Sequence, residues 1–152
     1  MNVLTISREY GAGGCELAER LAKALGWEIL DRNLIHQAAQ LEELPDAEFE
    51  RIDETPLSVA EHFQRHPLHE RYLHGLTEAT RAAVARGNVI LVGRGTRQIL
   101  GEMTGAFHLR LEASQEWRAR RTAHRDGLPY DEALARCVSE DRARRRFRHY
   151  FF

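Results

Sequence analysis

The stretch Val3-Leu4-Thr5-Ile6-Ser7-Arg8-Glu9-Tyr10-Gly11-Ala12-Gly13-Gly14-Cys15-Glu16 decides how this chain is read. A short apolar strand enters a glycine-rich turn, and the turn opens a helix expected from about Cys15 to Leu25, closed by Gly26. That order builds a phosphate cradle. Glycines let the backbone approach closely, successive N–H groups point inward, and the helix N-terminus adds partial positive charge. The usual form of such a loop also carries a lysine followed by Ser or Thr. Here those places hold Gly14 and Cys15. A plain glycine turn without a ligand is the ordinary alternative. A dinucleotide fingerprint fits less well, because its third glycine position holds Glu16, whose carboxylate would repel a pyrophosphate.

Outward from that loop, the chain alternates strands and helices. Trp27 to Leu30 reads as a strand ending at Asp31, and residues 32–43 as a helix stopping before Pro45. Residues 45–67 read as acidic and irregular, with a short helix near 57–64. Residues 70–86 carry Tyr72, Leu73, Leu76, Ala79, Ala83 and Val84 at helical spacing. Val89-Ile90-Leu91-Val92 is a continuous apolar run, suited to a parallel strand buried on both faces. Phe107 to Leu111 is a further strand, followed by helices at about 115–125 and 130–147. The expectation is an α/β fold with a parallel sheet flanked by helices. Ligands in such sheets bind beyond the carboxyl ends of the strands. The Gly11–Gly14 loop, Asp31, Gly93-Arg94-Gly95 and the turn after Leu111 should therefore converge on one crevice.

The totals narrow the function. A chain of 152 residues with 43% hydrophobic and 30% charged residues is expected to form one domain. A net charge of −1 exerts no global pull toward nucleic acid or membrane. Of 22 basic side chains only Lys23 is lysine, so any side-chain grip on phosphate must come from arginine. Two cysteines, Cys15 and Cys137, make no disulfide framework, and a reducing, cytoplasmic setting is the expectation. No apolar run approaches the roughly 20 residues of a membrane span.

Arginine placement supplies the remaining candidates. Arg8 precedes the glycines and can bring the charge that lysine normally supplies. Arg94 stands at the end of the best strand, where a guanidinium can clamp a phosphate bidentately. Arg118, Arg121 and Arg125 share one helical face, and Arg142, Arg145 and Arg146 share another, near Asp141. A helical lid over 118–148 could close such arginines over a transferring phosphoryl group. A solvated basic face is the alternative, and so is a nucleic-acid patch in which Phe147, Tyr150, Phe151 and Phe152 stack on bases. Cys15 is a poor ligand for Mg²⁺. Magnesium would instead be held by nucleotide phosphates, water and an oxygen such as that of Ser7 or Asp31. His62 and His66 are four apart, but Pro67 follows and no cysteine is near, so a metal site is not expected there.

At this point the chain resembles the cytidylate kinase-like family of P-loop nucleotide kinases. The resemblance is carried by residues 6–14, by Ile29-Leu30-Asp31-Arg32-Asn33-Leu34-Ile35, by residues 89–95, by Leu109-Arg110-Leu111-Glu112-Ala113 with Arg118 and Arg121, and by Glu140-Asp141-Arg142 with Arg145. It implies a three-layer P-loop NTPase-like sandwich and transfer of the ATP γ-phosphate to CMP, dCMP or a similar nucleoside monophosphate. By match, Gly11, Ala12, Gly13, Gly14 and Cys15 would hold donor phosphates, with Arg118 and Arg121 nearby. Asp31, Arg94 and Asp141 would face the acceptor, Arg8, Arg94, Arg142 and Arg145 would serve catalysis, and residues 43–75 would be the acceptor-binding insertion. The departures are the missing lysine and hydroxyl at Gly14 and Cys15, and Val92 and Gly95 in place of aspartates flanking the Gly-Arg pair. They leave open a catalytically weak, nucleotide-binding domain of the same fold. Relatives usually continue into another strand and helix beyond the point matching Phe152.

Overall fold

The structure, a computed structural model, describes residues 2–54, 67–103 and 105–152. Four parallel strands form one sheet: β1 (Val3–Arg8), β2 (Glu28–Leu30), β3 (Val89–Val92) and β4 (Ala106–Leu111), in the order β2-β3-β1-β4. The helices are α1 (Gly14–Leu25), α2 (Arg32–Leu41), α3 (Asp46–Glu54), α4 (Pro67–Arg86), α5 (Thr96–Leu100), α6 (Gln115–Asp126) and α7 (Tyr130–Phe151). Every residue of β3 is buried, as its unbroken apolar run requires of an interior strand covered on both faces.

Two cores lie on opposite faces of the sheet, because successive strand side chains point to opposite sides. Leu4, Ile6, Ile90 and Val92 pack with Ala18 of α1. Val3, Leu30, Val89 and Leu91 pack with α2, α3 and α4 through Leu34, Phe49, Tyr72 and Leu76. β4 is an edge strand in this sheet, and its Phe107 is exposed.

The region after Pro45 differs from the irregular reading. Residues 46–54 form α3, because Phe49 and Ile52 recur at helical spacing and both are buried. Asp46 and Glu48 in its first turn suit the positive end of the helix dipole. The short helix expected near 57–64, with His62 and His66, lies outside the described residues. No helix among the described residues is long and apolar enough to cross a membrane.

α7 runs over the carboxyl ends of the strands and ends in the larger core. The Phe151 ring centroid lies 4.7 Å from that of Phe147 and 5.3 Å from that of Tyr72. The Tyr150 hydroxyl is hydrogen bonded to His69 Nδ1 at 2.7 Å. Phe147, Tyr150 and Phe151 are thus engaged within the protein. This removes three of the four aromatics that the nucleic-acid reading would stack on bases.

Candidate active site

The register places the strand ends together. Ile6 stands beside Val92, and Ser7 beside Arg110. Gly93 N–H donates to Ile6 O at 2.9 Å, which ties the start of the second glycine loop to β1. Beyond these ends lies a cavity of about 950 Å³. It is lined by β1, β4, α5, α7 and the Gly93–Gly95 loop, and Arg32 of α2 and Asp53 of α3 reach it. Seven arginines line it against three carboxylates, Asp31, Asp53 and Glu140. In a chain with net charge −1, that local excess of cations marks a place for anions.

Arg8 joins this cavity to the opening loop. Its aliphatic stem crosses Gly14: a Cβ there would lie 2.7 Å from Arg8 Cγ and 2.9 Å from Arg8 Cβ. A lysine at position 14 cannot coexist with that path. The guanidinium then reaches Gly93, where a Cβ would land on Arg8 Nη1. Arg8 Nη2 is 3.8 Å from Asp31 Oδ2, and Arg8 Nε is buried without a hydrogen-bond partner. An orphaned donor of this kind is rare in folded proteins. Here it sits beside a cationic cavity.

The loop itself carries the expected geometry. Gly11 and Gly13 take left-handed conformations, and Gly13 caps α1. The first-turn N–H groups of a helix have no intrahelical partners and so face outward. Arg121 bridges this mouth. Its Nη1 donates to Gly11 O at 3.2 Å and its Nη2 pairs with Glu16 Oε2 at 2.5 Å. Arg121 thereby neutralises the carboxylate that would otherwise repel a phosphate. Cys15 is exposed and lines a smaller cavity of about 280 Å³, together with Asp31 and Val92.

Arg94 is held by carboxylates. It occupies a left-handed conformation between Gly93 and Gly95, an unusual backbone for a residue with a side chain. Its Nε donates to Asp31 O at 3.0 Å, its Nη2 pairs with Asp31 Oδ1 at 3.1 Å, and its Nη1 pairs with Asp53 Oδ2. Asp53 also accepts a 2.9 Å hydrogen bond from the Tyr72 hydroxyl. Burial, then the Asp53 charge, pushes the Tyr72 phenol well above its ordinary range, so it remains a donor.

Two expected residues, Arg118 and Asp141, pair with each other. Arg118 is 5% exposed, with Nη1 2.7 Å from Asp141 Oδ2 and 2.9 Å from Tyr10 O, and Nε 3.3 Å from Glu9 Oε2. Asp141 uses its other oxygen to accept from Tyr10 N at 2.8 Å. This pair fastens α6 and α7 to the loop and does not line the large cavity. Arg142 and Arg145 also fall outside it. They share the exposed face of α7, whereas the face toward the cavity carries Glu140, Ala143, Arg144, Phe147 and Arg148. The reason is helical phase: Phe147 and Phe151 must enter the core, and they draw Arg144 and Arg148 inward with them. Arg144 Nη1 donates to Arg8 O at 3.0 Å. Burial and the nearby Arg8 charge lower its pKa from the ordinary value.

Sequence reading also missed Asp53, Arg97, Arg110 and His108, which line the cavity. For α7 a signal existed in the spacing of Phe147 and Phe151. For Asp53 none did, since its partner Arg94 is 41 positions away. Ser7 Oγ donates to Leu109 O at 3.1 Å, and Asp31 is engaged by arginines. No cluster of three His, Cys, Asp or Glu side chains suited to a metal occurs among the described residues.

Solved structures share this fold. An uncharacterized protein from Eubacterium ventriosum ATCC 27560 superposes with a TM-score of 0.69 at 17% identity, covering 95% of this chain and 73% of that one. A gluconokinase from Sinorhizobium meliloti 1021 gives 0.54 at 18% identity, covering 91% and 73%. At these identities the likeness shows the fold, a P-loop NTPase-like α/β sandwich. Comparison with curated protein sequences finds no significant match. The model of the cytidylate kinase-like family matches residues 3–152, and the chain belongs to that family.

Proposed function

We propose that the protein transfers the γ-phosphoryl group of Mg–ATP to a nucleoside monophosphate of the CMP or dCMP kind. The observation that carries this reading is the course of Arg8. It takes the space a loop lysine would need over Gly14 and delivers a guanidinium, with one orphaned N–H, between loop and cavity. Backbone N–H groups of Gly11 and of Gly13 to Cys15 hold the donor phosphates, with Arg121 covering Glu16. Arg8 stands where the γ-phosphate passes from donor to acceptor. Arg94 and Arg144 orient the acceptor phosphate in the cavity.

An acceptor phosphate oxygen is already an anionic nucleophile. It attacks phosphorus as the bond to the ADP oxygen breaks, so the site needs no free general base. This suits Asp31 and Asp53, both of which are committed to arginine. Catalysis then rests on positioning and charge neutralisation. Magnesium enters as part of the donor, on its phosphates. Residues 43–75 serve as the acceptor-binding insertion, reaching the site through Asp53, and α6 and α7 as the lid.

A coupled assay of ADP release with ATP and each nucleoside monophosphate tests the proposal. Turnover with a pyrimidine monophosphate supports it, and no ADP above background with any acceptor removes it. The second reading is a nucleotide-binding domain with little turnover. It is favoured by Cys15 in the place of the magnesium-binding hydroxyl, and tight ATP binding without transfer would establish it.

A further inference from the structure

The cavity holds more cationic capacity than one phosphate uses. Arg8, Arg94 and Arg144 are described above. Arg110 enters from the edge strand β4, and Arg148 follows Arg144 by about one turn of α7. Glu112 Oε1 lies 2.5 Å from Arg110 Nε, but that carboxylate is largely exposed. The Arg148 side chain has no hydrogen bond or ion pair among the described residues, and its charged neighbours include Arg110 and Arg145, with Asp141 the counter-charge. Burial and those two arginines lower its pKa. An anion bound beside both guanidinium groups would relieve the repulsion that Arg110 exerts on Arg148.

The spacing indicates what that anion is attached to. Arg144 and Arg148 are four residues apart, about 6 Å along the helix axis. Adjacent phosphates along a sugar–phosphate chain stand at a similar separation. A cavity of about 950 Å³ accommodates a nucleoside with a phosphate at each end of its sugar. Resting on the reading of this cavity as the acceptor site, we propose that Arg110 and Arg148 form a second anion subsite. The acceptor it selects is a nucleoside bisphosphate, carrying a further phosphate on its sugar, in preference to a simple monophosphate.

Calorimetric titration with CMP, cytidine 3′,5′-bisphosphate and cytidine 2′,5′-bisphosphate tests this. The wild-type protein should bind one bisphosphate at least about tenfold more tightly than CMP. The two isomers tell which sugar oxygen carries the group. Arg148→Gln and Arg110→Gln should each erase that preference and leave CMP affinity within about twofold. Equal wild-type affinity for all three ligands overturns the proposal and needs no variant to do so. A preference untouched by both substitutions overturns the assignment of these residues. CMP binding and turnover without a bisphosphate preference sinks this inference alone. Failure of every ligand to bind at millimolar concentration sinks the acceptor reading along with it.

Discussion

Two glycine loops stand side by side at the ends of the central strands, and they hold charge in opposite ways. Gly11-Ala12-Gly13-Gly14 opens a helix of 12 residues and offers backbone N–H groups, with its cation borrowed from Arg8 and Arg121. Gly93-Arg94-Gly95 opens a helix of five and offers one side chain on a left-handed backbone, fixed by Asp31 and Asp53. Arg8 touches both. The first loop is a cradle that acquires its charge. The second is a charge that acquires its orientation. A missing lysine therefore need not mean a missing cation, since its space and its role can pass to a residue on the preceding strand.

The anchoring of the two loops separates them most sharply. Arg118 fastens the first loop from a buried position, so Arg118→Met leaves Glu9 and Asp141 without their counter-ion. That should lower unfolding free energy by about 3–5 kcal/mol, read by denaturant titration. A loss under about 1 kcal/mol would mean the loop stands without this anchor.

Gly93→Ala attacks the contact between the loops. The added Cβ falls on the Arg8 guanidinium, and φ of +74° disfavours any side chain. Displacing a guanidinium from a transferring phosphate should cost about 100-fold or more in kcat while the far-ultraviolet spectrum is kept. Near-wild-type kcat would detach Arg8 from the chemistry.

Asp53→Asn tests the second loop. The amide can still accept from the Tyr72 hydroxyl but no longer neutralises Arg94. Stability should fall by about 1–3 kcal/mol, and KM for the acceptor should change more than kcat. An unchanged KM would place Arg94 outside the acceptor site.

The smallest effect is a titration. His108, hydrogen bonded to Thr5 Oγ1 at 2.7 Å, has its pKa lowered from 6.5 by burial and then by the Arg97 charge, against an opposing hydrogen bond to Gly101. Its unfolded form binds the proton more readily, so its contribution to stability is full above pH 6.5 and is lost as pH falls toward the folded value. Nuclear magnetic resonance should show a His108 midpoint below 6.5, moving upward when an anion fills the cavity. A midpoint unmoved by saturating nucleotide would contradict binding beside Arg97.

The fold was largely legible in the sequence, because β1, α1 and β3 each declare themselves by local pattern. A four-residue apolar run can only be an interior strand here, and glycines mark the turns. Residues 46–54 were less legible: Phe49 and Ile52 are the two large apolar positions in a mostly acidic stretch, and Phe49 packs on Tyr72 far along the chain. The cavity was legible in part. Arg8, Asp31 and Arg94 stand at or just beyond strand ends, so topology alone brings them together. Among the arginines of α7, sequence offers many candidates, and the choice between Arg144 and Arg145 is a rotation of about 100° set by where Phe147 packs. Asp53 answers to no local rule, since it arrives through the docking of α3.

The most direct test exchanges the cation between its two possible origins. Mg–ATP binding is measured by calorimetry for the wild type, Arg8→Ala, Gly14→Lys and the double variant Arg8→Ala/Gly14→Lys. The account expects Arg8→Ala to weaken binding by roughly 10- to 100-fold, the worth of a charge-assisted hydrogen bond. Gly14→Lys alone should also bind worse than wild type, because its side chain collides with the Arg8 stem, while the double variant should recover most of the loss. Unchanged affinity in Arg8→Ala, or tighter binding in Gly14→Lys alone, would contradict it.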